Sequence, residues 1–364
     1  MKNQGMTLIE LLVTIAILII VLAAVFTSYL TVLKSHIQQS SIAETNIEKA
    51  IALEILRKDI EMAGFGLPWY VNGTSYSEAD TASNYTPDPS SFNDAPGDPP
   101  RGFAFSDNGN TNASNSDVLV IKSSIANIDS KAAKKWGYAY YSSSQWNIKS
   151  LSSEEFNGGD YYIALTVDDR KLTLNPSSTS TDNWHFNTLT PDLGNGTGEV
   201  FLVFGIDDSG PSMPFNRVDY YLKRPDDSFP DRCNPDIYEL YRAEINQGNG
   251  KRNPQPILDC VADFQLAFGL DTNGDGIIDS WGNNLPSSAE GIRTQVKQLA
   301  VYIIYQEGQK EDHPIFSQSS INISAPDGTT IKSVDLTNFS NYQFYRWKLL
   351  QMRVNPLNLA PEER

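Results

Sequence analysis

The chain has 364 residues, with 28 Lys+Arg against 44 Asp+Glu and a net charge of −16, a balance that opposes binding to nucleic acid or to anionic lipid head groups. Apolar residues make up 40% and aromatic residues 11%, enough for a packed core rather than a disordered chain. Three His and two Cys cannot build a zinc ribbon or a Cys/His cluster.

The first element is apolar. From Leu11 to Phe26 only Thr14 is polar, and the run extends back to Met6 with Thr7 and one acid, Glu10. As a helix, Met6 to Phe26 crosses roughly 30 Å of hydrocarbon. No Gly or Pro falls between Met6 and Ala63. One helix is therefore predicted over residues 6–62, about 85 Å long at 1.5 Å per residue, with residues 6–26 transmembrane. In its second half Ile47, Ile51 and Ile55 recur at i, i+4 and i+8, with Leu56 and Ile60 beside them, and this stripe is predicted to seat the helix on a globular head. No heptad is sustained, which argues against a coiled-coil stalk. Gly64, Gly66 and Pro68 end the helix. Glu10 stands out, because a carboxylate in hydrocarbon needs a partner or a function; snorkelling to the nearby interface is the plain alternative.

Residues 63–364 read as a β-rich head. Asn72 to Asp117, rich in Pro, Ser, Asn and Asp, reads as a long loop or insertion. Strands are predicted over residues 117–122, 161–167, 200–204, 216–223, 237–243, 296–305 and 342–354. The fold class is α+β: a long N-terminal helix packed on a mostly antiparallel β head.

Gly5-Met6-Thr7-Leu8-Ile9-Glu10, followed by Leu11-Leu12-Val13, resembles the processing signal of type IV prepilins. The resemblance implies a leader of residues 1–5, cleavage by prepilin peptidase between Gly5 and Met6 on the cytoplasmic side, and N-methylation of Met6, which stands where Phe is most common. It also implies the ladle shape of type IV pilins, and a pairing in which the new amino terminus of one subunit meets Glu10 of its neighbour. Two charges, each costly in lipid, then neutralise one another. The order Tyr220-Tyr221-Leu222, Leu240-Tyr241-Arg242, Val261 to Leu270 and Asp271 to Gly276 further resembles the PilW-like minor pilins. Residues 70–200 carry no such resemblance.

What this implies is a non-enzymatic minor pilin that primes a type IV pilus or sits at its tip. It would be held in the inner membrane by a single pass, with the head outside the cytoplasm, and would later reach the pilus on the cell surface. The implied partners are other minor and major pilins, prepilin peptidase and the inner-membrane assembly platform, with no nucleic acid. Two alternatives stand beside it: a J-type pseudopilin of a type II secretion system, and a membrane-anchored periplasmic binding protein or enzyme, which predicts no processing at Gly5.

Asp271, Asn273, Asp275 and Asp279 place oxygens at positions one, three, five and nine of a loop, Gly276 permits the turn, and the Ile277 carbonyl stands at seven. This resembles the front of an EF-hand loop, without the preceding helix of a true EF-hand, and its oxygen donors suit Ca²⁺ rather than zinc. Gly282 replaces the usual Glu at twelve, so Asp279, water or Glu290 would have to complete the shell. The alternative is a turn satisfied by its own amides. Cys233 and Cys260, outside the cytoplasm, either form one disulfide or are two separate buried thiols. No nucleophile elbow, P-loop, His-Glu-x-x-His or dinucleotide fingerprint is present. His36, His185 and His313 read as surface or packing residues.

Overall fold

The structure is a computed structural model and describes residues 7–80, 87–177, 183–194, 198–225 and 228–359. The chain begins with α1 (Leu8–Glu61), 54 residues long and so about 80 Å from end to end. Thr7 caps it. Its hydroxyl accepts from the Glu10 N–H at 3.4 Å while the Glu10 carboxylate accepts from the Thr7 N–H at 2.9 Å, a reciprocal capping box that satisfies two orphan donors. At the far end Gly64 and Gly66 take φ of +82° and +69°, a conformation open to glycine at little cost. A Cβ on Gly66 would also lie 2.8 Å from the Phe204 ring.

The head follows in the order β1 (Phe103–Asn110), β2 (Ser116–Ser123), β3 (Trp136–Ser142), β4 (Gln145–Ser150), β5 (Tyr161–Thr166), β6 (Val200–Asp207), β7 (Asn216–Lys223), β8 (Tyr238–Ile245), β9 (Arg252–Leu270), β10 (Ser280–Gly282), α2 (Ala289–Gln295), β11 (Val296–Glu307), β12 (Ser320–Ser324), β13 (Thr330–Asp335) and β14 (Arg346–Val354). The main sheet is eight-stranded, in the order β1-β2-β7-β8-β9-β11-β14 with β10 also on β9; β4-β3-β6-β5 form a second sheet, and β12-β13 a hairpin. Every strand pairing in these sheets is antiparallel.

The main sheet has two apolar faces. Along β11, Leu299, Val301 and Ile303 join the core under α1, while Ala300, Tyr302 and Ile304 join the opposite core with Trp347, Ile323 and Val334. That period of two is what a strand covered on both sides requires. The second half of α1 lies on the first face through Ala52, Leu56 and Ile60, packed with Val218, Tyr220 and Phe264.

Three expectations change. The buried stripe of α1 is Ala52, Leu56 and Ile60 with Thr45, whereas Ile47 and Ile51 are 63% and 57% exposed. The stretch read as a loop over 72–117 contains β1, an edge strand paired with β2. The strand expected over 342–354 starts at Arg346, after a short 3₁₀ turn at Tyr342–Phe344.

A buried ionic network fastens the Pro-rich segment to the main sheet. The Lys122 ammonium lies 2.7 Å from Glu78 and 2.6 Å from Asp94. Arg217 pairs with Asp219 at 2.8 Å and Glu78 at 3.2 Å, and donates to the Pro89 carbonyl. Arg252 pairs with Asp219 at 2.8 Å. Burial alone would raise the Asp94 and Asp219 carboxyls, but the cations beside them hold both below the usual carboxylate range.

Candidate functional site

The N-terminal helix is the candidate site, and its two ends have different chemistry. Gly5 and Met6 lie outside the described residues. Glu10, one turn into α1, turns its carboxylate back onto Thr7, accepting from both the backbone N–H and the hydroxyl at 2.9 Å. The side chains from Leu8 to Ile37 are exposed all round the helix. This helix is long and apolar enough to cross a membrane.

Where α1 meets the head, polar rungs reinforce the apolar seat. Asp59 accepts from Arg242 Nε at 2.7 Å and from the Tyr220 hydroxyl at 2.6 Å, and Arg242 also donates to the Ala126 carbonyl at 2.8 Å and pairs with Glu244. Burial, followed by the Asp59 charge, pushes the Tyr220 phenol well above its ordinary pKa, so it stays a donor. About three turns nearer the N-terminus, Arg232 bridges Glu48 at 2.7 Å, Asp259 at 3.0 Å and Glu44 at 3.4 Å. Burial raises the Glu48 and Asp259 carboxyls despite that cation. Further out, Lys34 meets Asp312 at 2.8 Å, and Gln38 donates to Glu311, which Arg346 holds at 2.9 Å.

Cys233 and Cys260 form a disulfide with Cα atoms 5.1 Å apart. Arg232 therefore sits beside a covalent cross-link between β9 and the segment before β8. Cys260 has φ of +54°. It lies where β9 carries one residue more than β8, between the pairs Tyr238↔Val261 and Leu240↔Leu258. A bulge of this kind re-aims a side chain.

The loop from Asp271 to Asp279 closes on itself. Asp271 accepts from the Gly274 and Gly276 N–H groups at 2.7 and 2.8 Å, and Lys297 lies 3.4 Å from it. Asn273 accepts from the Asp275 N–H and Asp275 from the Ile277 N–H. Asp279 accepts from the Thr272 and Asn273 N–H groups at 2.7 and 3.2 Å. Each of these loop oxygens thus accepts from a backbone amide of the loop. Among the described residues, no group of three or more His, Cys, Asp or Glu side chains is arranged to hold a metal ion. His36 and His313 are exposed, whereas His185 lies 5.4 Å from the Tyr161 ring and 5.1 Å from that of Trp184.

Residues 219–343, from within β7 to just past the β12–β13 hairpin, match the family model of the type IV pilus-assembly protein W. Residues 1–26 match the prokaryotic N-terminal methylation motif. Over these two stretches the chain is similar to type IV pilus proteins. No curated protein and no solved structure matches it. The two matches bracket the polar seat: Asp59 belongs to the helix that starts in the methylation motif, and Tyr220, Arg232 and Arg242 belong to the PilW-like part of the head.

The structure brings together the cysteine pair and the acidic loop that sequence reasoning singled out. The helix seat is where the sequence places it, with Leu56 and Ile60 buried, but its polar rungs carry no sequence signal. Asp59 and Arg242 are 183 positions apart and carry no local signal. The capping role of Glu10 did have one, the Thr-x-x-Glu spacing at the head of an apolar run.

Proposed function

We propose that this type IV pilus-related chain is a minor pilin: a non-enzymatic subunit that primes pilus assembly or sits at the filament tip, with the ladle shape of that class. The observation that carries the reading is a methylation motif joined to one unbroken helix, bare over its first half and seated on the head over its second. Prepilin peptidase cuts between Gly5 and Met6, the apolar half rests in the inner membrane with the head outside the cytoplasm, and the same half then enters the fibre core. There the methylated ammonium of Met6 faces Glu10 of a neighbouring pilin, so that two costly charges offset one another and reward correct axial register.

The N-terminus tests this. Mass spectrometry of the protein from cells with active prepilin peptidase should show a chain beginning at a methylated Met6; a chain still beginning at Met1 would overturn the reading. Glu10→Ala should leave membrane insertion intact and abolish co-assembly with partner pilins, scored by filament counts and co-purification.

A further inference from the structure

Just past the end of α1, Trp69 carries two guanidinium groups on its indole ring. Arg293 of α2 lies 4.2 Å from the ring centroid and Arg170, after β5, lies 5.2 Å away. Backbone bonds hold the arrangement: the Trp69 N–H donates to the Arg170 carbonyl at 3.0 Å and the Leu172 N–H to the Tyr70 carbonyl at 2.8 Å. Among the described residues neither arginine has a carboxylate within ion-pair distance; Glu290 acts on Arg293 only at longer range. Burial lowers the pKa of both, and the charge of Arg293 lowers that of Arg170 further. Two cations that repel one another, half-buried in a chain of net charge −16, are stabilised when an anion joins them.

Arg293 lines a cleft of about 500 Å³, within the range of small-molecule sites. Tyr70, 56% exposed, forms part of its wall. Asp98, Ser288 and Glu290 also line it. The Asp94 carboxylate is committed to Lys122 and Arg101, but among the described residues those of Asp98 and Glu290 have no hydrogen-bond or ion-pair partner. Two open carboxylates would repel a phosphate dianion. They suit a ligand that brings hydroxyl donors together with a single negative charge, and an exposed phenol ring suits the apolar face of a pyranose.

We propose that this cleft binds an acidic sugar, a pyranose bearing a carboxylate. The carboxylate lies at Arg293 in the field of Arg170, the ring rests against Tyr70, and the hydroxyls donate to Asp98 and Glu290. The site joins α2, which lies in the PilW-like part, to a turn outside it, and it does not depend on the minor-pilin reading.

The test uses the full chain in detergent micelles. Sodium glucuronate and galacturonate, glucose, and inorganic phosphate are titrated at equal ionic strength, with saturation-transfer NMR for the sugars and ³¹P line widths for phosphate. At least one uronate should bind saturably while glucose does not, and phosphate should bind at least tenfold more weakly. Arg293→Ala and Tyr70→Ala should each weaken uronate binding at least tenfold at an unchanged melting temperature, and Glu290→Gln should weaken it less. If Arg293→Ala fails to fold, the exposed Tyr70→Ala and the Arg293→Lys variant, which keeps the charge but loses the planar fork, carry the test. Absence of saturable uronate binding, equal binding of glucose, phosphate binding as tight as the uronate, or uronate binding unchanged in Tyr70→Ala would each overturn the proposal.

Discussion

The two halves of α1 are one helix with two kinds of surroundings. From Leu8 to Ile37 its apolar side chains are exposed. From Thr45 to Ile60 a narrow stripe is buried and is flanked by Asp59, Glu48 and Lys49, each bonded to the head. The seat is one position away from the isoleucine series. Ile47, Ile51 and Ile55 are offset by one position from Ala52, Leu56 and Ile60, a rotation of about 100°. Ile47 and Ile51 face outwards, while Ala52, Leu56 and Ile60 face the sheet, so apolar burial and the ionic rungs together hold the helix.

The largest effect that would break this contrast is expected at Arg242. Arg242→Ala leaves Asp59 and Glu244 without their cation in a nearly dry seat, and should cost about 3–5 kcal/mol. Leu56→Ala, opening a cavity under the helix, should cost about 2–5 kcal/mol. Leu18→Ala, on the bare half, should leave unfolding of the head unchanged. All three are read by denaturant unfolding in detergent; a Leu18→Ala loss as large as that of Leu56→Ala would erase the distinction between the halves.

The disulfide comes next. Cys233 and Cys260 are 27 positions apart, so Cys233→Ser with Cys260→Ser should lower stability by roughly 3–4 kcal/mol. Thiol labelling of the denatured, unreduced protein should find no free Cys.

A third test concerns pH. Burial, with the charges of Asp107 and Asp263 nearby, pushes the Asp117 carboxyl up to about 8, against the pull of the Asn108 and Leu266 N–H groups. The folded state thus keeps a proton that the unfolded chain releases near pH 4. Stability should fall as pH rises from about 4 to 8, by at most about 1.4 kcal/mol per pH unit from this group. Asp117→Asn should flatten that part of the profile, measured as denaturant midpoint against pH; an unchanged slope would assign the dependence elsewhere.

The smallest effect is expected at the acidic loop, whose oxygens already accept from loop amides. If Ca²⁺ takes the remaining lone pairs of Asp271, Asn273 and Asp275, the melting temperature should rise in calcium and return in chelator, and Asp275→Ala should remove the response. Identical curves would reduce the loop to a turn.

Much of this architecture was legible. β7 falls on the residues its alternation predicts, and β2, β5, β8 and β11 lie within two residues of expectation at each end. Other elements were hidden by local chemistry that points elsewhere. β9 contains Pro254 and Pro256, which argue against a central strand. There β9 pairs only with β8, because β11 joins it from Val261 onward, so the prolines occupy an edge. The β3–β4 hairpin turns at Ser143 and Ser144, with φ of +53° and +65°, where Asn-Gly would have announced the turn. β1 lies in a stretch whose Asn, Gly and Asp content reads as loop, and a bulge between Ser106 and Asn110 absorbs those residues. Of the candidate site, the processing motif and the cysteines are contiguous or few enough to be noticed, whereas the Asp59–Arg242 seat exists only after folding.

On the proposed pairing of Glu10 with a neighbour's amino terminus, the bond between Thr7 and Glu10 has a consequence for how subunits meet. In the lone chain the carboxylate is already answered by its own first turn. An arriving amino terminus does not find a bare anion. It must displace the Thr7 N–H and hydroxyl, so joining is an exchange of partners rather than a simple gain. The strength of the joint is then the small difference between two good bonds, and that difference falls to the wrong sign when the neighbour is out of step.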